Sequence, residues 1–228
     1  MFDGRWRSTI DDGLMPIGAA LRRTGISADV VTITGIVMAA ACSLAIALGQ
    51  LRLALLLLAL TGVPDALDGA VAKASGTASQ RGAYFDSVAD RFTDALLFGG
   101  VGWYLAGKGG HLVMLPFALL GAAMLVSYQR AKADSLGFDA RGGIMERAER
   151  FLVLGVGLLF SELLVAILWI MLALTLVTAG HRFVKVWRQA DRPVVRSDTY
   201  RQTRHSGPRQ SPVAERWREQ RDARRAAR

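Results

Sequence analysis

The sequence lacks most of what builds a small secreted domain. It holds one cysteine, Cys42, in 228 residues, so neither a disulfide framework nor a cysteine metal site can form within one chain. No internal repeat is visible. Residues 1–27 carry Asp3, Arg5, Arg7, Asp11 and Asp12 and lack an apolar core. A cleavable signal peptide is therefore not expected there, and the first apolar span must act as its own insertion signal.

The commonest residues are apolar. The chain is 52% hydrophobic, with a mean hydropathy of +0.29. Its apolar residues cluster into stretches near the roughly 20 needed to cross about 30 Å of hydrocarbon. Six spans follow: 28–49, 51–72, 83–106, 110–131, 149–161 reaching back toward 145, and 163–187. The expected fold is all-α: a polytopic membrane protein with six transmembrane helices. The segment "DDGLMPIGAALRRTGISAD" reads as an N-terminal interfacial amphipathic helix. Three regions result: an interfacial segment at 1–27, a six-helix membrane domain at 28–190, and a basic tail at 191–228. The tail carries eleven Arg against five acids, +6 of the chain's net +9, and no apolar face able to fold alone. It reads as a solvated, disordered tail against anionic lipid. Nucleic acid is not an expected partner, because Tyr200 and Trp217 make a thin stacking platform.

Lys and Arg set the orientation. The links after spans one, three and five hold only Arg52 and Lys108, whereas those after spans two and four hold Lys73, Arg81, Arg130, Lys132, Arg141, Arg147 and Arg150. Both termini and the even-numbered links are expected in the cytoplasm, at the cell membrane.

Against this background, "DALDGAVAKASGTASQRGAYFDSVADRFTD" stands out. Five aspartates, Asp65, Asp68, Asp86, Asp90 and Asp94, sit where spans two and three meet. An Asp near a membrane-helix centre costs about 2.5–3.5 kcal/mol, so five need compensation. All lie toward the cytoplasmic boundary. Asp65/Asp68 and Asp86/Asp90 are spaced three and four residues apart, each pair on one helix face. Carboxylates so close require protons or a cation. Hard oxygen donors without His or Cys select Mg²⁺, Mn²⁺ or Ca²⁺. Two such ions fit four carboxylates and form the usual clamp for displacement at phosphorus. Gly69 and Gly82 remove side chains beside the acids. Gly62, Gly99, Gly100 and Gly102 read instead as small-residue helix packing. Asp94 is open between an outer role at the site and pairing with a nearby base such as Arg91.

The pattern Asp65-x-x-Asp68-Gly69-x-x-Ala72-Lys73, eight residues, Gly82-x-x-x-Asp86-x-x-x-Asp90 resembles the signature of the CDP-alcohol phosphotransferase family. The one departure is Lys73 in place of Arg, which keeps the charge and loses the bidentate fork. The resemblance implies transfer of a substituted phosphate from a CDP-linked donor to an alcohol, with release of CMP. It implies Asp65, Asp68 and Asp86 as ligands of two ions, Mg²⁺ or Mn²⁺, and Asp90 as base and further ligand. It also implies a homodimer. Gly69, Ala72, Lys73 and Gly82, with Asp29 and Thr32 in "SADVVTITG", are the implied donor-binding residues.

"SYQRAKAD", "GGIMERAER" and "HRFVKVW" place Arg130, Arg147, Arg150 and Arg182 near cytoplasmic helix ends. Positive-inside flanking accounts for charge there, but a convergent Arg set also suits a phosphate dianion, and hence a phosphorylated polyol as acceptor. These segments resemble the branch of actinobacterial phosphatidylinositol phosphate synthases. That likeness implies CDP-diacylglycerol as donor, inositol 1-phosphate as acceptor, and the four arginines as its phosphate grip. The alternative is a phosphatidylglycerolphosphate synthase using glycerol 3-phosphate. A divalent-cation transporter and a membrane scaffold are the other classes. Metal-dependent CMP release separates the enzyme from both.

Overall fold

The structure, a computed structural model, describes residues 28–62 and 80–191. Several expectations lie outside them: the interfacial helix, the tail, and Asp65, Asp68, Gly69, Ala72 and Lys73. The described helices are α1 (Ala28–Ala47), α2 (Leu51–Gly62), α3 (Gln80–Ala106), α4 (Met114–Ser135), α5 (Arg147–Leu159) and α6 (Leu164–Ala190). The described residues contain no strand.

The elements follow the apolar runs, with shifts at the ends. α4 begins and ends about four residues later than its apolar run suggests, because 107–113 is spent on turns through Gly109 and Gly110, both at positive φ. α4 then carries Arg130 and Lys132 as part of the helix. By length and composition, the α1 stretch Asp29–Ala47 and α6 are able to cross a membrane. α5 has 13 residues, a rise of about 20 Å at 1.5 Å per residue.

α1 packs along α3, α3 on α4, α4 on α6 and α5 on α6. Gln50 N–H reaches back to the Ala45 carbonyl at 2.8 Å and closes α1; α2 starts at the next residue. Cys42 Sγ donates to the Ala54 carbonyl at 3.2 Å, tying α1 to α2. Ser43 Oγ donates to the Leu96 carbonyl at 2.6 Å, tying α1 to α3. That crossing requires glycine at 100: a Cβ there would stand 2.5 Å from the Ser43 carbonyl oxygen. Small-residue packing is thus realised at Gly100. At Gly62 and Gly99 a Cβ would meet none of the described residues within 4 Å.

The core is aliphatic, with Ile46, Leu97, Leu105, Leu119, Leu158 and Leu168 all but sealed. The outward faces are apolar too: Val37, Leu44, Trp103, Leu152 and Trp169 are each more than half exposed. Helices apolar inside and out suit lipid rather than water. Three buried charged residues, Asp94, Arg150 and Arg182, gather between α3, α4, α5 and α6.

Candidate active site

α3 carries Asp86, Asp90 and Asp94 at four-residue intervals, so the three carboxylates form one stripe. The stripe runs inward. Asp86 and Asp90 are half-buried, and Asp94 is buried. Gly82 lies in the first turn of the same helix. Among the described residues no three His, Cys, Asp or Glu side chains converge as a metal site; two of the four expected ligands, Asp65 and Asp68, lie outside those residues. The described pair, Asp86 and Asp90, offers only carboxylate oxygen, without nitrogen or sulfur. That donor chemistry fits a hard divalent cation.

The arginines come from the opposite side. α5 begins at Arg147, and Arg150 follows at three residues, on the same face. Arg147 Nη1 lies 2.8 Å from Asp90 Oδ1, and its Nε lies 4.0 Å from Asp94 Oδ1. Its guanidinium carbon sits 5.1 Å from the centre of the Phe151 ring, a cation–π contact. Arg150 Nη2 donates to Asp94 Oδ2 at 2.7 Å. Arg150 is 3% exposed, and its buried Nε has no hydrogen-bond partner among the described residues. Two carboxylates of α3 therefore face two guanidinium groups of α5 in successive rungs. Arg91 stands 3.8 Å from Asp90 and donates to the Ser87 carbonyl; the partners of Asp94 are Arg150 and Arg147.

Arg182 is spent differently. It is 2% exposed. Its Nε donates to the Gly142 carbonyl and its Nη1 to the Val126 carbonyl, both at 3.0 Å, and its Nη2 pairs with Glu146. One side chain of α6 thus binds α4, the 142–146 segment and, at its end, the residue just before α5. Arg130 is half-buried on α4. Asp29 is exposed in the first turn of α1 and Thr32 is half-buried one residue past that turn.

The segment before α5 is stitched down along its length. Ile144 and Met145 N–H both donate to Thr178 Oγ1, at 3.2 and 3.0 Å, and that hydroxyl donates to the Leu174 carbonyl. Gly143 adopts φ +151° with its α-carbon against the Thr178 methyl, where a Cβ would collide. Further out, Asp139 accepts from Lys185 Nζ at 2.9 Å, and Gln189 exchanges two hydrogen bonds with the Asp139 backbone. The Lys185 ammonium, with the Arg141 N–H, holds the Asp139 carboxyl below its ordinary value. Sequence reasoning missed Thr178. A hydroxyl in an apolar helix is a signal, but Thr175, which bonds only the Met171 carbonyl of its own helix, gives the same signal without reaching across.

A family model described as CDP-alcohol phosphatidyltransferase matches residues 26–179. An archaetidylinositol phosphate synthase of Methanothermobacter thermautotrophicus is 35% identical over 173 residues, covering 73% of this chain and 86% of the relative. A phosphatidylinositol phosphate synthase of Cutibacterium acnes is 41% identical over 141 residues, covering 60% and 68%. The crystal structure of the Mycobacterium tuberculosis phosphatidylinositol phosphate synthase with CDP-DAG bound superposes with a TM-score of 0.71 at 29% identity, covering 76% of this chain and 93% of that one. The same mycobacterial protein has been solved in complex with manganese and citrate.

Proposed function

The chain belongs to the CDP-alcohol phosphatidyltransferase family, and from that premise we propose that it transfers the phosphatidyl group of CDP-diacylglycerol to inositol 1-phosphate, giving phosphatidylinositol phosphate and CMP. As a member of this family it is a membrane-embedded, divalent-metal-dependent transferase. The proposal extends to two ions, Mg²⁺ or Mn²⁺, held by Asp65, Asp68, Asp86 and Asp90. It extends also to six spans, a homodimer, and a site at the cytoplasmic boundary.

The observation that carries the acceptor is the meeting of α3 and α5. The carboxylate-bearing helix and the arginine-bearing turn touch through Arg147 and Asp90 at 2.8 Å. A phosphate held by the arginines would sit beside the reacting carboxylates. The unpartnered Arg150 Nε–H supports this, since a buried donor without an acceptor costs about 1–3 kcal/mol and an anionic ligand would satisfy it. Relatives named for inositol phosphate products fit the same chemistry.

In the reaction the acceptor hydroxyl oxygen forms a bond to the phosphatidyl phosphorus, and the bond from that phosphorus to CMP breaks. When bound, the divalent ions neutralise the phosphate charge of the donor. Asp90 takes the hydroxyl proton. Arg147 and Arg130 hold the acceptor phosphate, with Arg150 behind them. Arg182 fixes the segment that presents Arg147. Asp29, Thr32, Gly69, Ala72, Lys73 and Gly82 cradle the nucleotide end of the donor.

The test supplies purified protein with CDP-diacylglycerol and, in turn, inositol 1-phosphate, glycerol 3-phosphate and free inositol, and measures CMP. Inositol 1-phosphate should be preferred. Each lost charge-assisted hydrogen bond is worth about 1.5–3 kcal/mol, so free inositol should be a negligible substrate. Preference for glycerol 3-phosphate would move the assignment to phosphatidylglycerolphosphate synthesis. Efficient use of free inositol would remove the phosphate pocket.

A further inference from the structure

We propose that Asp94 is a positioning residue of the acceptor site: its buried ion pair with Arg150 sets the first turn of α5 against the helix that carries Asp90. The inference rests on the acceptor reading above and assigns a role to a carboxylate that lies outside the family signature.

Asp94 is 5% exposed and Arg150 3%. Their 2.7 Å contact joins residues 56 apart in sequence, so it is tertiary. Buried ion pairs are poor sources of stability, because desolvation offsets the attraction and apolar residues of similar size often do as well. A leucine facing a methionine would close the same gap between α3 and α5. What the charged pair adds is direction. A carboxylate fixes a guanidinium in plane and angle, and apolar contact does not.

The spacing turns that direction into register. Asp90 and Asp94 are separated by about 6 Å along α3, and Arg147 and Arg150 by about 4.5 Å along α5, at 1.5 Å rise per residue. Two rungs therefore stack, Asp90 with Arg147 and Asp94 with Arg150. They are not equivalent. Both side chains of the outer rung are 22% exposed, whereas those of the inner rung are 3% and 6% exposed. The inner rung is the anchor. The outer one is open to exchange, so that Arg147 can turn from Asp90 to an arriving phosphate while α5 keeps its place. Asp94 Oδ1, 4.0 Å from Arg147 Nε, stays within reach of that side chain.

The full chain is the material for the test, with Asp94→Asn and Asp94→Glu measured beside wild type. Three quantities are read: KM for the phosphorylated alcohol that wild type uses, KM for CDP-diacylglycerol, and Mn²⁺ affinity by electron paramagnetic resonance. Asp94→Asn should raise the acceptor KM by about tenfold or more, the equivalent of one lost charge-assisted contact. Donor KM and Mn²⁺ affinity should stay within about twofold, since none of the proposed metal ligands or donor-binding residues lies on α5. Asp94→Glu keeps the charge but pushes Arg150 away by one methylene, so it should raise acceptor KM by a smaller factor than the Asn variant. If the Asn variant does not fold, the Glu variant carries the test: its longer side chain displaces Arg150, so acceptor KM alone should shift. The proposal is overturned if acceptor KM is unchanged in a folded variant. It is equally overturned if donor KM and Mn²⁺ affinity move in step with it, or if both variants fail to fold, which would make the pair a staple and nothing more. A wild type that prefers another phosphorylated alcohol would change the acceptor reading and leave the Asp94 result interpretable.

Discussion

Asp86 and Asp90 sit one turn apart on α3. Asp90 meets Arg147 at 2.8 Å from α5, which suits a group that must stay ionised and face the acceptor. Asp86→Asn should therefore weaken Mn²⁺ binding and abolish CMP release together, and EDTA should do the same to wild type, reversibly. Asp90→Asn should leave the donor KM largely intact and cut turnover by about 10²-fold or more, the usual scale for loss of a general base. An equal collapse of donor affinity in Asp90→Asn would make Asp90 chiefly a ligand. The i, i+4 placement of these acids was legible in the sequence because helical neighbours are set by local geometry alone. The partner of Asp94 was not. The nearby base in sequence is Arg91, three residues back, and its half-buried guanidinium turns instead toward Ser87 and Asp90. The actual partner comes from another helix, a choice made by packing that no local spacing encodes.

At the scale of elements, the segment 139–146 decides where α5 begins. It has no regular structure, yet Thr178 and Arg182 on one face of α6 absorb its backbone groups. Thr178→Val keeps the shape and removes the oxygen, leaving two N–H groups without an acceptor. It should lower the melting temperature in detergent and raise acceptor KM, since each buried unsatisfied donor costs about 1–3 kcal/mol. Thr178→Ser should restore both; a valine variant as stable as wild type would show that the segment stands without the clamp. Arg182→Ala removes the donor to the Gly142 and Val126 carbonyls and leaves the 30%-exposed Glu146 to water, so it should also lower the melting temperature, at a cost of about 1–3 kcal/mol for each buried group left unpaired. Asp139 at the outer end answers to pH. Its folded value is depressed by Lys185 and by the Arg141 N–H, so its contribution is complete above the unfolded value of about 3.9 and is lost as pH falls through the lower folded value. Asp139→Asn should differ from wild type by a constant margin in melting temperature from pH 5 to 8. That margin should close only in stronger acid. From the sequence, α5 reads as the weakest span, and it is the shortest of the fully described helices. The reason is now physical: the residues before Arg147 serve as a tether to α6 rather than as a further helical turn.

For the whole molecule, apolar periodicity located the described helices to within a few residues, because lipid forces every backbone group into a helix and so ties apolar length to helix length. What it could not locate was the polar seam between α3, α4, α5 and α6, whose members lie 36 to 56 residues apart. That seam and the aliphatic core together close within the helices. The core runs from Cys42 to Met171, and the last helix ends at Ala190. Residues 191–228 follow that helix in sequence. They bring +6 of the net +9 charge and few apolar residues. A chain ending at Arg192 should therefore insert, fold and release CMP from CDP-diacylglycerol in neutral detergent at the wild-type rate, with an unchanged melting temperature. The effect of the tail should appear only on anionic surfaces, where basic residues contribute about 1 kcal/mol each and the attraction fades beyond a Debye length. In vesicles containing anionic lipid, the full chain and the truncated one should differ at low salt and converge at high salt. A truncated protein that folds in detergent but cannot turn over there would place part of the catalytic site beyond Arg192, and the boundary drawn at the end of α6 would have to move.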